Sequence, residues 1–108
     1  MREELNILRF LGLAAKAGKV ISGFDQVESS IRKGTAKLLI ISTDISKNTL
    51  SRLLDIGARG DVDMPDAYSF STMYELGRAI GKPDRAIVAV TDQGFADKLS
   101  AELSRKIN

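Results

Sequence analysis

Apolar side chains recur every three or four residues along five stretches of the chain, and this spacing predicts five helices. The first covers residues 3 to 17, and the second runs from Gly23 to Lys33 with Ser22 or Asp25 near its cap. The predicted buried positions of the first, third and fifth helices are Leu5, Leu8, Leu11 and Ala15, then Leu50, Leu53 and Leu54, then Phe95, Leu99, Leu103 and Ile107.

Four shorter apolar runs lie between the helices and predict strands. Lys37–Ser42 and Ala86–Thr91 contain consecutive aliphatic residues, which is typical of a central strand covered on both faces. Val20 with Ile21, and the segment Ala67–Phe70, predict two more strands. Helices that alternate with such strands predict an α/β fold, a three-layer α/β/α sandwich, as one domain over residues 1–108.

Composition narrows the function classes. A chain of 108 residues, 44% of them hydrophobic, is long enough to bury one core. It contains neither Cys nor His, so it lacks thiolate metal ligands, disulfides and the commonest general base. The sequence contains no P-loop and no pair of side chains spaced for mutual activation. Asp61, Asp63 and Asp66 indicate a solvated acidic turn more strongly than a cation site. We therefore expect no enzyme activity, cofactor or metal.

The net charge of +2 is small, but its distribution is uneven. Residues 1 to 43 hold seven Lys or Arg against four Asp or Glu, whereas residues 44 to 108 hold nine against ten. The basic residues of the first half include Arg9, Lys16, Lys19, Arg32, Lys33 and Lys37. Such residues either solvate a surface or attract a polyanion. No run approaches the roughly 18 apolar residues of a membrane span, so a cytoplasmic location is expected.

The start of the second helix combines a glycine with an aromatic, an acid and an amide. Free backbone NH groups at a helix start, with Gly23 allowing close approach, suit a phosphate or a base edge. Asp25 can accept hydrogen bonds from base amino groups, and Gln26 can accept and donate. Alternatively, Ser22 and Asp25 only cap the helix while Phe24 enters the core.

Several blocks of the chain resemble the superfamily of kink-turn RNA-binding proteins that includes the ribosomal proteins L7Ae and L30e, and most closely its bacterial YlxQ-like branch. The matching blocks are LGLAAKAGKVISG from Leu11 to Gly23, IRKGTAKLLIIS from Ile31 to Ser42, TDISKNT, ELGRAIGK from Glu75 to Lys82, and AIVAVTDQGFADKL from Ala86 to Leu99. The resemblance implies a four-stranded mixed sheet. It also implies RNA contacts from the start of the second helix and from the loop before the fourth.

The family signature Gly-x-Asn-Glu-x-x-Lys falls on residues 23 to 29 of this chain. Only Gly23 is identical to the archaeal form, and Ser29 stands where the archaeal proteins have Lys. Gln26 and the aromatic Phe24 resemble the L30e branch, but that branch has Lys where this chain has Asp25. Each departure removes a phosphate contact or adds an acid, so we expect weaker or differently targeted binding.

The basic first half of the chain supplies further expected site residues. Lys16, Lys19, Lys33 and Lys37 compensate in part for the lost contacts, and Lys16 and Lys19 hold phosphates. In the second contact region, Phe70, Ser71 and Thr72 match the family loop. Independently of the resemblance, Thr72 with Glu75 has the spacing of a capping box that begins the fourth helix. Phe70 either packs on an extruded base or ends its strand in the core.

The expected partner is structured RNA with a kink-turn-like bend, with ribosomal RNA among the candidates. Neither DNA nor a membrane is expected. The alternative is a protein-interaction module on the same fold that has lost RNA binding, and an enzyme acting on a small molecule ranks below both.

Overall fold

The structure is a computed structural model that describes the backbone of residues 2–107 and the side chains of residues 3–105. Within these residues, five helices and four strands alternate. Their bounds are α1 Arg2–Lys16, β1 Val20–Ser22, α2 Phe24–Lys33, β2 Leu38–Ile41, α3 Lys47–Ala58, β3 Asp66–Ser69, α4 Met73–Ala79, β4 Ile87–Val90 and α5 Gln93–Ile107. None of the described helices combines the length and apolarity that crossing a bilayer requires.

The four strands form one mixed sheet in the order β1-β4-β2-β3. Strand β4 is antiparallel to β1 and to β2, so that Ala89 lies opposite both Ile21 and Leu39. Strands β2 and β3 are parallel, with Leu39 opposite Ala67. Strands β1, β2 and β3 therefore all end at the same edge of the sheet, and β4 begins there.

We call this edge, with the segments 22–24, 42–46, 70–73 and 82–86, the carboxyl edge. Helices α2, α3 and α4 all begin at it, because each follows directly on a strand that ends there. Short strands of three or four residues bring the ends of the helices close to the sheet.

Helices cover both faces of the sheet because the central strands are apolar on both. Leu38 and Ile40 of β2 point into one core cluster with α1, α4 and α5, whereas Leu39 points into a second cluster with α2 and α3. Alternate residues of a strand face opposite sides, so one aliphatic run supplies both layers. The predicted three-layer α/β/α sandwich with a four-stranded mixed sheet is confirmed.

Two of the predicted buried helix positions are wrong. Leu5 is 57% exposed, since the buried face of α1 consists of Ile7, Leu11 and Ala14. Leu54 is 62% exposed, and α3 buries Leu53 and Ile56 instead. Neighbouring residues of a helix point about 100° apart, and both helices have more apolar residues than one buried face can hold. Tertiary packing therefore decides which of these residues are buried.

The fifth helix packs through the predicted positions Leu99 and Leu103, and Phe95 lies 5.1 Å from the Phe10 ring of α1. The side chain of the fourth predicted position, Ile107, lies outside the described residues. Strand β3 is fastened to this helix by the Tyr68 hydroxyl, which is 3.1 Å from Ser100 Oγ and 2.7 Å from Ser104 Oγ. These hydrogen bonds lower the pKa of the Tyr68 phenol below its ordinary value.

Candidate nucleic-acid interface

The start of α2 is open to a ligand because no side chain caps it. Gly23 is the N-cap residue, with φ 91° and ψ 143°, and the helix begins without a side-chain hydrogen bond to its first NH groups. The prediction that Ser22 or Asp25 caps the helix is therefore wrong. Asp25 and Gln26 are exposed in the first turn, and an uncapped helix start favours a negatively charged partner.

The Ser22 hydroxyl is instead used by a residue 63 positions away. Arg85 Nε donates a hydrogen bond to Ser22 Oγ at 2.9 Å, and the Arg85 backbone NH donates to the Met73 carbonyl at 3.0 Å. Arg85 thus connects the end of β1 with the start of α4. The two contact regions that the sequence predicted lie on one connected surface at the carboxyl edge.

A cavity of about 320 Å³ opens beside the start of α2. Its polar lining consists of Ser22, Gln26, Lys82 and Arg85, and the described residues that line it include no carboxylate. Two cations, a hydroxyl and an amide around such a space can bind a phosphate group together with the edge of a base.

Gln26 lines both this cavity and a second one of about 370 Å³, which extends beside α2 from Asp25 to Thr35 and Thr91. Asp25, Ser29 and Lys33 line the second cavity. The Gln26 amide therefore borders a basic space on one side and a space with one acid and one lysine on the other. It is the predicted site residue with access to both.

The loop before α4 is held in an unusual backbone conformation. Ser71 has φ 64°, which is rare for a residue other than glycine. Its carbonyl oxygen accepts hydrogen bonds from Thr43 N at 2.7 Å and Thr43 Oγ1 at 2.9 Å. Thr72 Oγ1 accepts from Glu75 N at 3.2 Å, which is one half of the predicted capping box. Strain that is fixed by neighbours in this way is common at binding sites.

Phe70 does not take the stacking position. It is 2% exposed and packs in the core cluster of α1, α4 and α5. Its backbone NH donates to the Ile41 carbonyl at 2.8 Å, so it continues the pairing of β3 with β2 by one residue. Of the two alternatives for Phe70, the position at the strand end in the core is therefore confirmed, and stacking on an extruded base is wrong because the core already holds the ring.

The structure does not bring all the predicted lysines to the carboxyl edge. Lys19 and Lys37 precede β1 and β2, and their backbone groups bond to Thr91 N and Val90 O, which lie at the opposite edge. Lys37 Nζ also donates to the Gly34 carbonyl at 3.1 Å. Lys16 lines a groove of about 680 Å³ between α1 and α4.

Three cations near the start of α2 were not among the predicted site residues: Lys82, Arg85 and Arg52. The first two precede β4, and only the antiparallel pairing of β4 with β1 brings them to Ser22. Arg52 belongs to α3, and its guanidinium carbon lies 4.0 Å from the centre of the Phe24 ring. Phe24 is partly buried against the second core cluster, so the prediction that it enters the core holds for part of the ring.

No group of three metal-ligating side chains is present among the residues whose side chains the structure describes, including the acidic turn with Asp61, Asp63 and Asp66. The chemistry of the carboxyl edge is that of hydrogen bonding and charge.

Comparisons with known proteins identify the family and the fold of this chain. The family described as "Ribosomal protein L7Ae/L30e/S12e/Gadd45 family" matches residues 6–100. A relative named RNA-binding protein YlxQ, from Bacillus subtilis (strain 168), is 46% identical over 89 residues, which make up 82% of this chain and 86% of the relative.

Two solved structures are similar in fold. A protein with unknown function from Bacillus halodurans C is 35% identical, with a TM-score of 0.80 over 91% of this chain and 96% of that one. The Giardia lamblia 15.5kD RNA binding protein is 18% identical, with a TM-score of 0.72 over 99% of this chain and 88% of its own. At the lower identity the likeness concerns the fold alone.

Proposed function

We propose that this chain, which belongs to the ribosomal protein L7Ae/L30e/S12e/Gadd45 family, binds structured RNA through the carboxyl edge of its sheet and catalyses no reaction on it. The bacterial relative that is 46% identical bears the name of an RNA-binding protein, which supports the proposal. The observation that carries it is the uncapped start of α2 beside a cavity with two cations and no carboxylate among its described lining.

In this proposal the RNA has a kink-turn-like bend. The RNA major groove is too narrow for side chains in a regular helix, but base edges become accessible at bulges and non-canonical pairs. Gly23 lets the backbone approach such bases closely. Asp25 and Gln26 then read amino and imino groups from the first turn of α2, while Ser71 and Thr72 contact the same RNA from the loop before α4.

Phosphate groups bind to the cations at the carboxyl edge. Lys82 and Arg85 border the cavity, and the Arg85 side chain is already fixed by its bond to Ser22. Lys16 ends α1 and lines the neighbouring groove with α4, whereas Lys33 ends α2, about 13 Å along the helix from its start. Lys19, Lys33 and Lys37 lie toward the opposite edge and contribute less, because exposed charges more than about 10 Å from a phosphate are largely screened at 0.1 M salt.

The family name also motivates a finer proposal, that the RNA is part of the ribosome. Co-sedimentation of the protein with ribosomal subunits, compared with and without a competing kink-turn RNA, addresses it. A protein found only in the unbound fraction at low salt would contradict the ribosomal part and leave RNA binding intact.

The binding test compares a kink-turn RNA hairpin with a fully paired hairpin of the same length. We expect tighter binding to the kink-turn RNA, and we expect Gln26→Ala to reduce that preference by about 1–3 kcal/mol because a base-edge contact is lost. Gln93→Ala is the matched control, since Gln93 lies at the start of α5, at the opposite edge, and bonds Asp97 at 2.8 Å. Affinities are measured by fluorescence anisotropy.

Absence of binding to either RNA at low salt would refute the proposal. A pull-down with and without ribonuclease then distinguishes the alternative, because the partners of a protein-interaction module persist when RNA is digested.

A further inference from the structure

We propose that Arg52, held on the ring of Phe24, is a phosphate contact that extends the RNA interface from α2 onto α3. This inference rests on the proposed function. The guanidinium carbon of Arg52 lies 4.0 Å from the centre of the Phe24 ring. Phe24 is the first residue of α2 and follows Gly23, so the pair borders the uncapped helix start.

Arg52 keeps its hydrogen-bond donors available. Among the residues whose side chains are described, it forms no hydrogen bond and no ion pair. The neighbouring Arg32 differs, since its Nε and Nη2 donate to Glu28 Oε2 at 3.1 and 2.9 Å. A guanidinium has five NH donors in a planar fork that matches two oxygens of one phosphate. Stacking on the ring restricts the side chain without using these donors.

The position of the acids in the groove between α2 and α3 indicates where the RNA backbone passes. This groove, of about 470 Å³, has as its charged lining Glu28, Asp55, Arg32, Arg52 and Arg59. Glu28 lies about one turn into α2, where it is paired with Arg32, and Asp55 lies about two turns into α3. The Arg52 guanidinium, by contrast, stacks on Phe24 at the very start of α2. An RNA backbone that crosses the groove at the carboxyl edge would contact Arg52 and would not enter the part of the groove that holds the acids.

Phe24 has a second role in this arrangement. Its ring packs partly against the α2 and α3 core, and its outer face supports Arg52. The attraction between a cation and an aromatic face favours one position of the guanidinium over the many that a free arginine side chain samples. Phe24 is thus a positioning residue that acts through Arg52.

The test measures affinity for the kink-turn RNA hairpin against salt concentration for Arg52→Gln and Arg59→Gln. Both variants remove one positive charge from the same groove, but Arg59 follows the last residue of α3 and lies about 10 Å farther than Arg52 from the carboxyl edge. We expect Arg52→Gln to reduce the magnitude of the log-log slope by about 0.7 to 0.9, the value for one phosphate. Arg59→Gln should leave the slope unchanged.

Two further variants separate a phosphate contact from a structural stack. Arg52→Lys keeps the charge, so the slope should persist while affinity falls, because a lysine cannot bind two oxygens in a fork. Phe24→Leu keeps an apolar side chain but removes the aromatic face that positions Arg52. We therefore expect Arg52→Gln to reduce the affinity less in the Phe24→Leu variant than in the wild type. Thermal unfolding of each variant verifies that it is folded.

The outcomes keep this inference apart from the proposed function. If the wild type binds and Gln26→Ala weakens binding, but Arg52→Gln and Arg59→Gln have the same slope as the wild type, the Arg52 contact is overturned alone. A loss that depends on the base sequence and leaves the slope unchanged also overturns it. If the wild type binds no RNA, both proposals fall.

Discussion

At the scale of single residues, Gly23 determines how the chain enters α2. Its φ of 91° with ψ of 143° lies in a region that only glycine adopts at low energy. A Cβ built at this position would meet no atom within 4 Å. The requirement for glycine is therefore conformational and does not come from crowding within the protein.

We expect Gly23→Ala to reduce the free energy of unfolding by about 3 kcal/mol, the upper end of the cost of one strained backbone position. The cost arises because either the backbone is strained or the helix start must move. Gly34→Ala is the control. Gly34 also has open space but lies in the ordinary left-handed region, with φ 76° and ψ 15°, where alanine costs about 1 kcal/mol. Urea denaturation measures both, and equal losses would contradict the special status of Gly23.

At the scale of elements, α4 and the segment before β4 are packed too closely for any side chain at Gly77. A Cβ there would lie 2.7 Å from the Pro83 carbonyl carbon and 2.9 Å from the Lys82 carbonyl oxygen. Both are backbone atoms, so the segment itself must shift. This contact connects the packing of a helix to the position of Lys82 in the candidate interface.

We expect Gly77→Ala to destabilise the protein by about 1–3 kcal/mol or more, and to weaken RNA binding beyond the fraction that unfolds. Gly57→Ala provides the comparison, since its Cβ would lie 2.6 Å from Cγ of Met64, an exposed side chain that can move aside. Calorimetry gives the stabilities, and anisotropy at a temperature where both variants are folded gives the affinities. If Gly77→Ala left the RNA affinity unchanged, the proposed link between the packing of α4 and the position of Lys82 would be contradicted.

Elements were predictable where local chemistry decides them. The aliphatic run of β2 and the Thr72 cap of α4 follow from neighbouring residues, and both are present. The choice of Ile7 over Leu5 as a buried residue depends on how α1 meets α5, which local spacing does not contain. The bond from Arg85 to Ser22 spans 63 positions and depends on strand order. The site was therefore only partly predictable.

At the scale of the whole molecule, charge is arranged by topology more than by sequence order. The basic excess of the first half divides between two edges of the sheet, and Lys82 and Arg85 from the second half join the start of α2. A net charge of +2 is therefore a poor guide to the potential at the candidate interface.

Salt dependence tests this arrangement. Lys82→Gln should reduce the magnitude of the log-log slope for the kink-turn RNA by about 0.7 to 0.9, since one phosphate contact is lost. Lys37→Gln removes the same charge at the opposite edge, where the ammonium already bonds the Gly34 carbonyl, and should change the slope little. The reverse order of the two effects would place the RNA on the other edge.

The uncapped start of α2 has one more consequence. Helix α2, which no side chain caps, presents roughly half a positive charge at its amino end, whereas at the start of α3 Ser46 Oγ already accepts from Thr49 N. Because the charge at the start of α2 belongs to the main chain, no substitution of a side chain abolishes it. Substitutions of side chains at the carboxyl edge can therefore change which anion binds best, while the attraction of the main chain for anions persists.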